Sequence, residues 1–171
     1  MEPGKYTLEV FCKSGTEKRQ QTHQFGVIWP SRPFSFFDPE LAIDALRHIA
    51  SEADIEAMQS GPMDKRAQAF YGFWKSQSRD TTTAYNVALA EYYYRVDEAI
   101  RKFSTAREND GYKTDRGRIY VLYGAPQKSD RLLQPNSSPA EVWTYERLQR
   151  RFIFIDPSKN GNYILSQIET L

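Results

Sequence analysis

Tyr85-Asn-Val-Ala-Leu-Ala-Glu-Tyr-Tyr-Tyr-Arg-Val-Asp-Glu-Ala-Ile-Arg-Lys-Phe103 decides the fold, because beyond it the apolar period changes from helical to extended. Tyr85, Leu89, Tyr92, Val96, Ala99 and Phe103 recur in steps of four and three, the spacing of one helix face. The pattern predicts one long helix, near Thr83 to Arg107, with that stripe as core. Tyr93 and Tyr94 fall partly off the stripe, so at least one hydroxyl should reach the boundary and find a polar partner. Beyond Asn109 the period becomes two, and Arg118 to Tyr123, Glu141 to Tyr145, Arg151 to Ile155 and Asn162 to Ile168 read as four strands.

Between the two periods lies Asp110-Gly-Tyr-Lys-Thr-Asp-Arg-Gly117. Gly111 reads as a left-handed helix terminator, Thr114 and Asp115 as acceptors for backbone amides of the following turn, and Gly117 as a close approach or bulge. Asp115 is near enough to Arg116 and Arg118 for a charge-assisted pair. A rigid corner built on Gly111, Thr114, Asp115 and Gly117, supported by Gly124, Trp143 and Asp156, is the structural reading. The functional alternative has Tyr112, Asp115, Arg118 and the later Asp130 converging on a ligand pocket. Glycosidase-style paired carboxylates, Asp115 with Asp156 or Glu141, are a weaker option, because sequence cannot supply the separation such chemistry depends on.

Working outward, Gly124-Ala-Pro126 begins a long polar loop through Pro135, Asn136 and Pro139, while Leu148-Gln149 makes a tight reversal. Asp156-Pro-Ser-Lys-Asn-Gly161 is a turn whose Asn160-Gly161 pair supplies positive φ. Short reversals imply antiparallel pairing. Upstream, Pro62 to Ser76 reads as a helix burying Met63, Ala67, Phe70 and Trp74. Ser51 and Asp54 form a capping box for a helix to Gln59, and Asp38 caps a helix from Pro39 to Ala50. Tyr6 to Phe11 and Gln21 to Trp29 read as a β hairpin, followed by a linker at Trp29-Pro-Ser-Arg-Pro33. Helices and strands are segregated, so the class is α+β. The expected parts are a hairpin over 1–30, a linker and helical segment over 31–108, and a β segment over 109–171 packed with 31–108 as one domain. Glu2-Pro-Gly-Lys5 opens at a turn and runs straight into the first strand, as if the chain began inside a larger β domain.

Composition bounds the chemistry. In 171 residues, Tyr, Phe and Trp make up 14%, too many large rings for a chain that stays unfolded. A net charge of +1 gives no long-range field toward nucleic acid, and no run approaches the roughly 20 apolar residues of a membrane span. No export signal is visible in this chain. Cys12 is the only cysteine, which excludes an internal disulfide and reads as buried or incidental. His23 and His48 read as solvated or locally bonded and do not make a zinc site. The sequence carries no phosphate cradle, nucleophile elbow, paired-histidine helix or calcium loop, and no cofactor or metal is expected. Arg147, Arg150 and Arg151, with Lys128 and Arg131, and with Tyr145 and Phe152 interleaved, form a basic patch. A solvated turn outweighs nucleic-acid binding there, since Glu141 and Glu146 lie nearby.

Gly111-Tyr-Lys-Thr-Asp-Arg-Gly-Arg-Ile-Tyr-Val-Leu-Tyr-Gly124 resembles the signature of the bacterial GWxTD domain, with Tyr112 at the position of the eponymous Trp. The likeness extends upstream through Phe73-Trp74, Arg79-Asp80, Asn86, Tyr92-Tyr-Tyr-Arg95 and Phe103. Downstream it includes Glu141-Val-Trp-Thr-Tyr145, Phe152-Ile-Phe-Ile-Asp156 and Gly161-Asn-Tyr163, so that it covers about Asp38 to Leu171. Ala125 and Gln127 depart from the pattern. The resemblance implies an envelope-associated or periplasmic bacterial protein carrying a β domain ahead of this region, which the hairpin would continue. It implies an architecture and no reaction. The reading that follows is a non-enzymatic interaction or scaffold module for a protein or peptide partner. The alternative is a hydrolase or carbohydrate-binding domain with a cleft around Tyr112, Asp115, Arg118 and Asp130.

Overall fold

The long amphipathic helix is the post around which the body is built. In the computed structural model, which describes residues 4–15, 17–27, 32–77, 86–106, 108–135 and 137–171, five helices and a four-stranded antiparallel sheet follow an amino-terminal hairpin. The class is α+β. Strands β1 (Gly4–Ser14) and β2 (Glu17–Val27) pair with each other from Gly4 with Val27 to Ser14 with Glu17. The helices are α1 (Pro39–Asp44), α2 (Glu52–Gln59), α3 (Met63–Gln77), α4 (Val87–Phe103) and α5 (Asp115–Tyr123). The sheet has the order β3 (Lys128–Leu132), β4 (Ala140–Tyr145), β5 (Arg150–Ile155) and β6 (Ile164–Thr170). Among the described residues no helix is long and apolar enough to cross a membrane.

Leu89, Tyr92, Val96, Ala99 and Phe103 are all buried on α4, as the period requires. The helix starts where Asn86 Oδ1 accepts the amide of Leu89 at 3.0 Å, and the same side chain donates to the Trp74 carbonyl at 2.6 Å, tying α4 to α3. Tyr93 is fully buried and its hydroxyl donates to the Ala42 carbonyl at 2.7 Å, while Tyr92 donates to Ala45 at 2.6 Å. The two phenols therefore satisfy carbonyls of α1 and of the 3-10 turn Ala45–His48 that continues it. Asp97 does the reverse, accepting the amides of Phe34 at 2.7 Å and Ser35 at 3.2 Å and so fastening the 3-10 turn Phe34–Phe37 to α4. A second ring cluster joins α4 and α5 to the sheet through Phe103, Tyr120, Trp143 and Phe154.

Several sequence expectations are corrected. Arg118 to Tyr123 is not a strand but the body of α5, because Thr114 and Gly124 cap a segment whose β-rich composition alone favours extension. The sheet still has four strands, since Lys128–Leu132, expected within a loop, forms β3 along an exposed edge. The helix expected to Ala50 is α-helical only to Asp44 and tightens into the 3-10 turn to His48. Met63 and Ala67 are exposed, so α3 reaches the core through Phe70 and Trp74, with Ala69 and Phe73 partly buried beside them. Cys12 is exposed. Tyr145 and Phe152 are buried, so the rings interleaved with Arg147, Arg150 and Arg151 face the core and are closed to stacking with bases. The readings at Trp29 to Ser31, Arg79-Asp80, Thr83 to Tyr85, Arg107 and Asn136 lie outside the described residues.

Candidate functional site: the corner between α4 and α5

The chain must leave α4 and reverse into α5 within a few residues, and two glycines make that possible by close contact. A Cβ on Gly111 would sit 2.6 Å from the Ser104 amide nitrogen and nearer still to the Ala99 carbonyl oxygen. On Gly117 it would sit 2.8 Å from both the Gly111 carbonyl carbon and the Tyr112 Cα. Backbone therefore rests on backbone at both positions. Gly111 is not the left-handed terminator the sequence suggested, since its φ is not positive; Gly124, at φ 79° and ψ −162°, closes α5 in an extended conformation that favours glycine. Ser104, which the sequence reading passed over, ends α4: its hydroxyl accepts the Gly111 amide at 3.1 Å and lies 2.6 Å from the Ile100 carbonyl.

Thr114 locks the corner from both sides. Its hydroxyl donates to the Gly111 carbonyl at 2.7 Å and accepts the Gly117 amide at 3.0 Å, capping α5. Asp115 does not take the backbone amides of the following turn, which the sequence suggested. Its Oδ2 accepts the Leu165 amide of β6 at 2.7 Å, and its Oδ1 faces Arg118 at 3.4 Å. The carboxylate thereby joins the start of α5 to an edge strand 50 residues away. Arg116, expected beside Asp115, turns instead to Glu141 on β4 at 3.0 Å and donates to the Gly161 carbonyl at 2.9 Å. Its guanidinium stacks 4.2 Å from the Tyr163 ring centroid and 5.3 Å from that of Phe103. Glu141 also accepts Trp143 Nε1 at 2.9 Å and Ser129 at 3.0 Å. Burial works to raise the Glu141 pKa, but these three donors outweigh it and hold the carboxyl below its ordinary value.

Tyr112 inserts toward α1. Its hydroxyl donates to Asp44 at 2.5 Å, and Asp44 is bridged by Lys113 at 3.0 Å and paired with Arg47. Burial raises and the three donors lower the Asp44 pKa, and the donors prevail. Burial, followed by the hydrogen bond to Asp44, pushes the Tyr112 phenol above its ordinary range, so it stays a neutral donor. His48 is neither solvated nor locally bonded: its Nε2 lies 3.0 Å from the Tyr112 carbonyl oxygen, 64 residues on. A carbonyl can only accept, so the Nε2–H form is the one that bonds it. Burial, helped by Arg47 and Arg118, lowers the His48 pKa despite that bond.

The four candidate pocket residues are thus distributed. Asp115 and Arg118 share a turn of α5, and Tyr112 is 1% exposed, buried against α1. Asp130 lies on β3, paired with Lys128 at 2.9 Å. β3 and β6 are opposite edges of the sheet, three strand spacings apart, so Asp130 and the Asp115–Leu165 bond stand about 14 Å from one another. Asp156 accepts the amides of Asn160 at 3.2 Å and Gly161 at 2.7 Å, which shapes the β5–β6 turn. Among the described residues no group of three or more His, Cys, Asp or Glu is placed to hold a metal. The polar atoms of this corner bond chiefly to each other and to backbone, with Arg116 Nε buried and unpartnered among the described residues.

A family model described as GWxTD domain matches residues 10–169, from the middle of β1 to the end of β6. No curated protein and no solved structure matches the chain.

Proposed function

The chain belongs to the GWxTD domain family, and from that premise we propose that it is a non-enzymatic interaction module of an envelope-associated bacterial protein, offering a β surface to a protein or peptide partner. One observation carries this reading. The corner between α4 and α5 turns most of its polar side chains onto neighbouring elements of the chain itself, whereas the hairpin leaves Leu8 at 51%, Phe11 at 69% and Phe25 at 39% exposure. A two-stranded ribbon with apolar residues open to water is marginal by itself and is stabilised by whatever covers it.

The test places a photoreactive residue at Leu8 of the full chain in envelope extracts, with the exposed α3 position Tyr71 as the control site. Adducts formed at position 8, absent at Tyr71 and lost when Val10→Asp/Phe25→Asp is added on the same hairpin face, are expected. Turnover of a small molecule that requires Asp115, with no adduct at Leu8, overturns the reading.

A further inference from the structure

Four described strands lie at an edge, and three of those edges are blunted. β3 is 5 residues long and carries Lys128, Asp130 and Arg131, the short charged form that discourages further pairing. β6 is bulged against β5, and Asp115 takes its Leu165 amide at 2.7 Å. β2 is polar on both faces from Glu17 to Gln24. β1 differs from all three. It pairs with β2 along 11 residues without a shift of register, which leaves its other edge long and flat. Tyr6, Leu8, Val10 and Cys12 make an apolar lane on one face of it, beside the polar lane of Arg19, Gln21 and His23 on β2. In a finished sheet the apolar lane is central and the polar lane is the rim. Here the apolar lane becomes central only when a strand is added beyond β1.

The backbone and the charges are set for the same addition. Only two residues separate the paired Ser14 and Glu17, so these are the closing hydrogen-bonded pair of the hairpin. Alternation then turns the amides of Leu8, Val10 and Cys12 to β2, and those of Thr7, Glu9 and Phe11 to the open edge. On the face opposite the apolar lane, Lys5, Glu9 and Lys13 recur at a spacing of four residues as plus, minus, plus. Across the ribbon they meet Gly26, Thr22 and Lys18, none of which neutralises them. We propose that the open edge of β1 accepts a strand from a partner protein, apolar at alternate positions on one side and acidic, basic, acidic at every fourth position on the other. This deepens the interaction reading and rests on it. The added strand makes the ribbon three-stranded, the size at which a sheet with an apolar face holds by itself.

The probe is the synthetic peptide Glu-Val-Thr-Val-Lys-Ile-Thr-Val-Glu, N-methylated at its apolar residues so that it offers one edge only, added to the isotopically labelled full chain. At up to about 2 mM peptide, hydrogen exchange of the Thr7, Glu9 and Phe11 amides should slow at least about tenfold, while Gln20, Thr22 and Gln24 stay unchanged. The charge-reversed peptide, with Lys at both ends and Glu at its centre, should bind at least about fivefold more weakly. Thr7→Pro deletes an outward amide and no hairpin bond, and should abolish protection at Glu9 and Phe11; Thr22→Pro, on the outer edge of β2, should not. Protection on β2 or β3, equal binding of the two peptides, or binding of neither overturns the proposal. So does protection of β1 that grows with chain concentration in the absence of peptide, which makes the occupant a second copy. Adducts at position 8 with no protected β1 amide remove the added strand and leave the interaction reading standing; absence of both removes the two together.

Discussion

Arg116 and Glu141 form the most buried ion pair of the described structure, with side chains 12% and 7% exposed, and breaking it should be among the costliest polar changes available. Arg116→Met keeps the aliphatic stem against Phe103 and Tyr163 but strands the Glu141 carboxylate on two neutral donors, Trp143 and Ser129. Leaving one buried charge without its partner costs about 3–5 kcal/mol. For a chain of this size each kcal/mol lowers Tm by about 2–4 °C, so a fall of about 6–20 °C is expected. Glu141→Gln keeps the acceptor oxygen for Trp143 and Ser129 while removing the charge. The double variant should therefore cost little more than Arg116→Met alone, with a coupling of at least about 1.5 kcal/mol. Urea unfolding followed by tryptophan emission reads this directly, because Trp143 is itself bonded to Glu141. Costs that add to within about 0.5 kcal/mol would mean that the two groups do not act as a pair. The pH dependence has a definite sign. Glu141 is held below its ordinary 4.5, so the stability it contributes is complete above that pH and is lost as the pH falls through the folded value. Glu141→Gln should flatten that acid limb.

Three further outcomes test the corner. Gly117→Ala should cost more than about 3 kcal/mol or prevent folding, because its Cβ meets backbone at 2.8 Å; Gly72→Ala on α3, with open space around it, should stabilise by about 0.5–1 kcal/mol, both read by thermal melts. Asp115→Ala should cost about 1–3 kcal/mol and accelerate exchange of the Leu165 amide, whereas Asp115→Asn, which keeps an acceptor oxygen, should cost less. His48 should titrate below 6.5 by NMR, so stability is full above pH 6.5 and declines as pH drops toward the folded value; His48→Gln should remove that slope.

What could be read from the sequence follows from how local the determining forces are. The α4 stripe repeats one period for four turns, and the capping box at Ser51 and Asp54 lies within four residues, so both were legible and both are present. α5 was not, because Arg-Ile-Tyr-Val-Leu-Tyr carries strand-forming side chains and becomes helical through the Thr114 cap and a backbone-to-backbone contact at Gly117 before it and Gly124 after it. That contact has no period and no composition signature. β3 was hidden for the opposite reason: an edge strand of five mostly exposed residues has neither alternation nor an apolar run to announce it. Asp97, Tyr112, Arg116 and His48 find their partners 25 to 68 residues away, and charge spacing along the chain pointed instead at the nearest opposite sign.

The same distances explain why a corner so dense in functional-looking residues need not be a reaction centre. The polar groups of the segment from Gly111 to Gly117 that bond elsewhere reach several elements: Tyr112 and Lys113 both to Asp44 of α1, Asp115 to β6 and Arg116 to β4, with the Tyr112 carbonyl taking His48. A catalytic constellation gathers its groups on one small volume where a substrate can stand. Here they radiate outward from two touching glycines, which is the geometry that fixes several elements to one point. Replacing Thr114 by Ser tests this distinction cleanly, because the hydroxyl that bonds Gly111 and Gly117 is kept: a joint tolerates the change with a loss of less than about 1 kcal/mol, whereas Thr114→Ala loses the cap and costs about 1–2 kcal/mol.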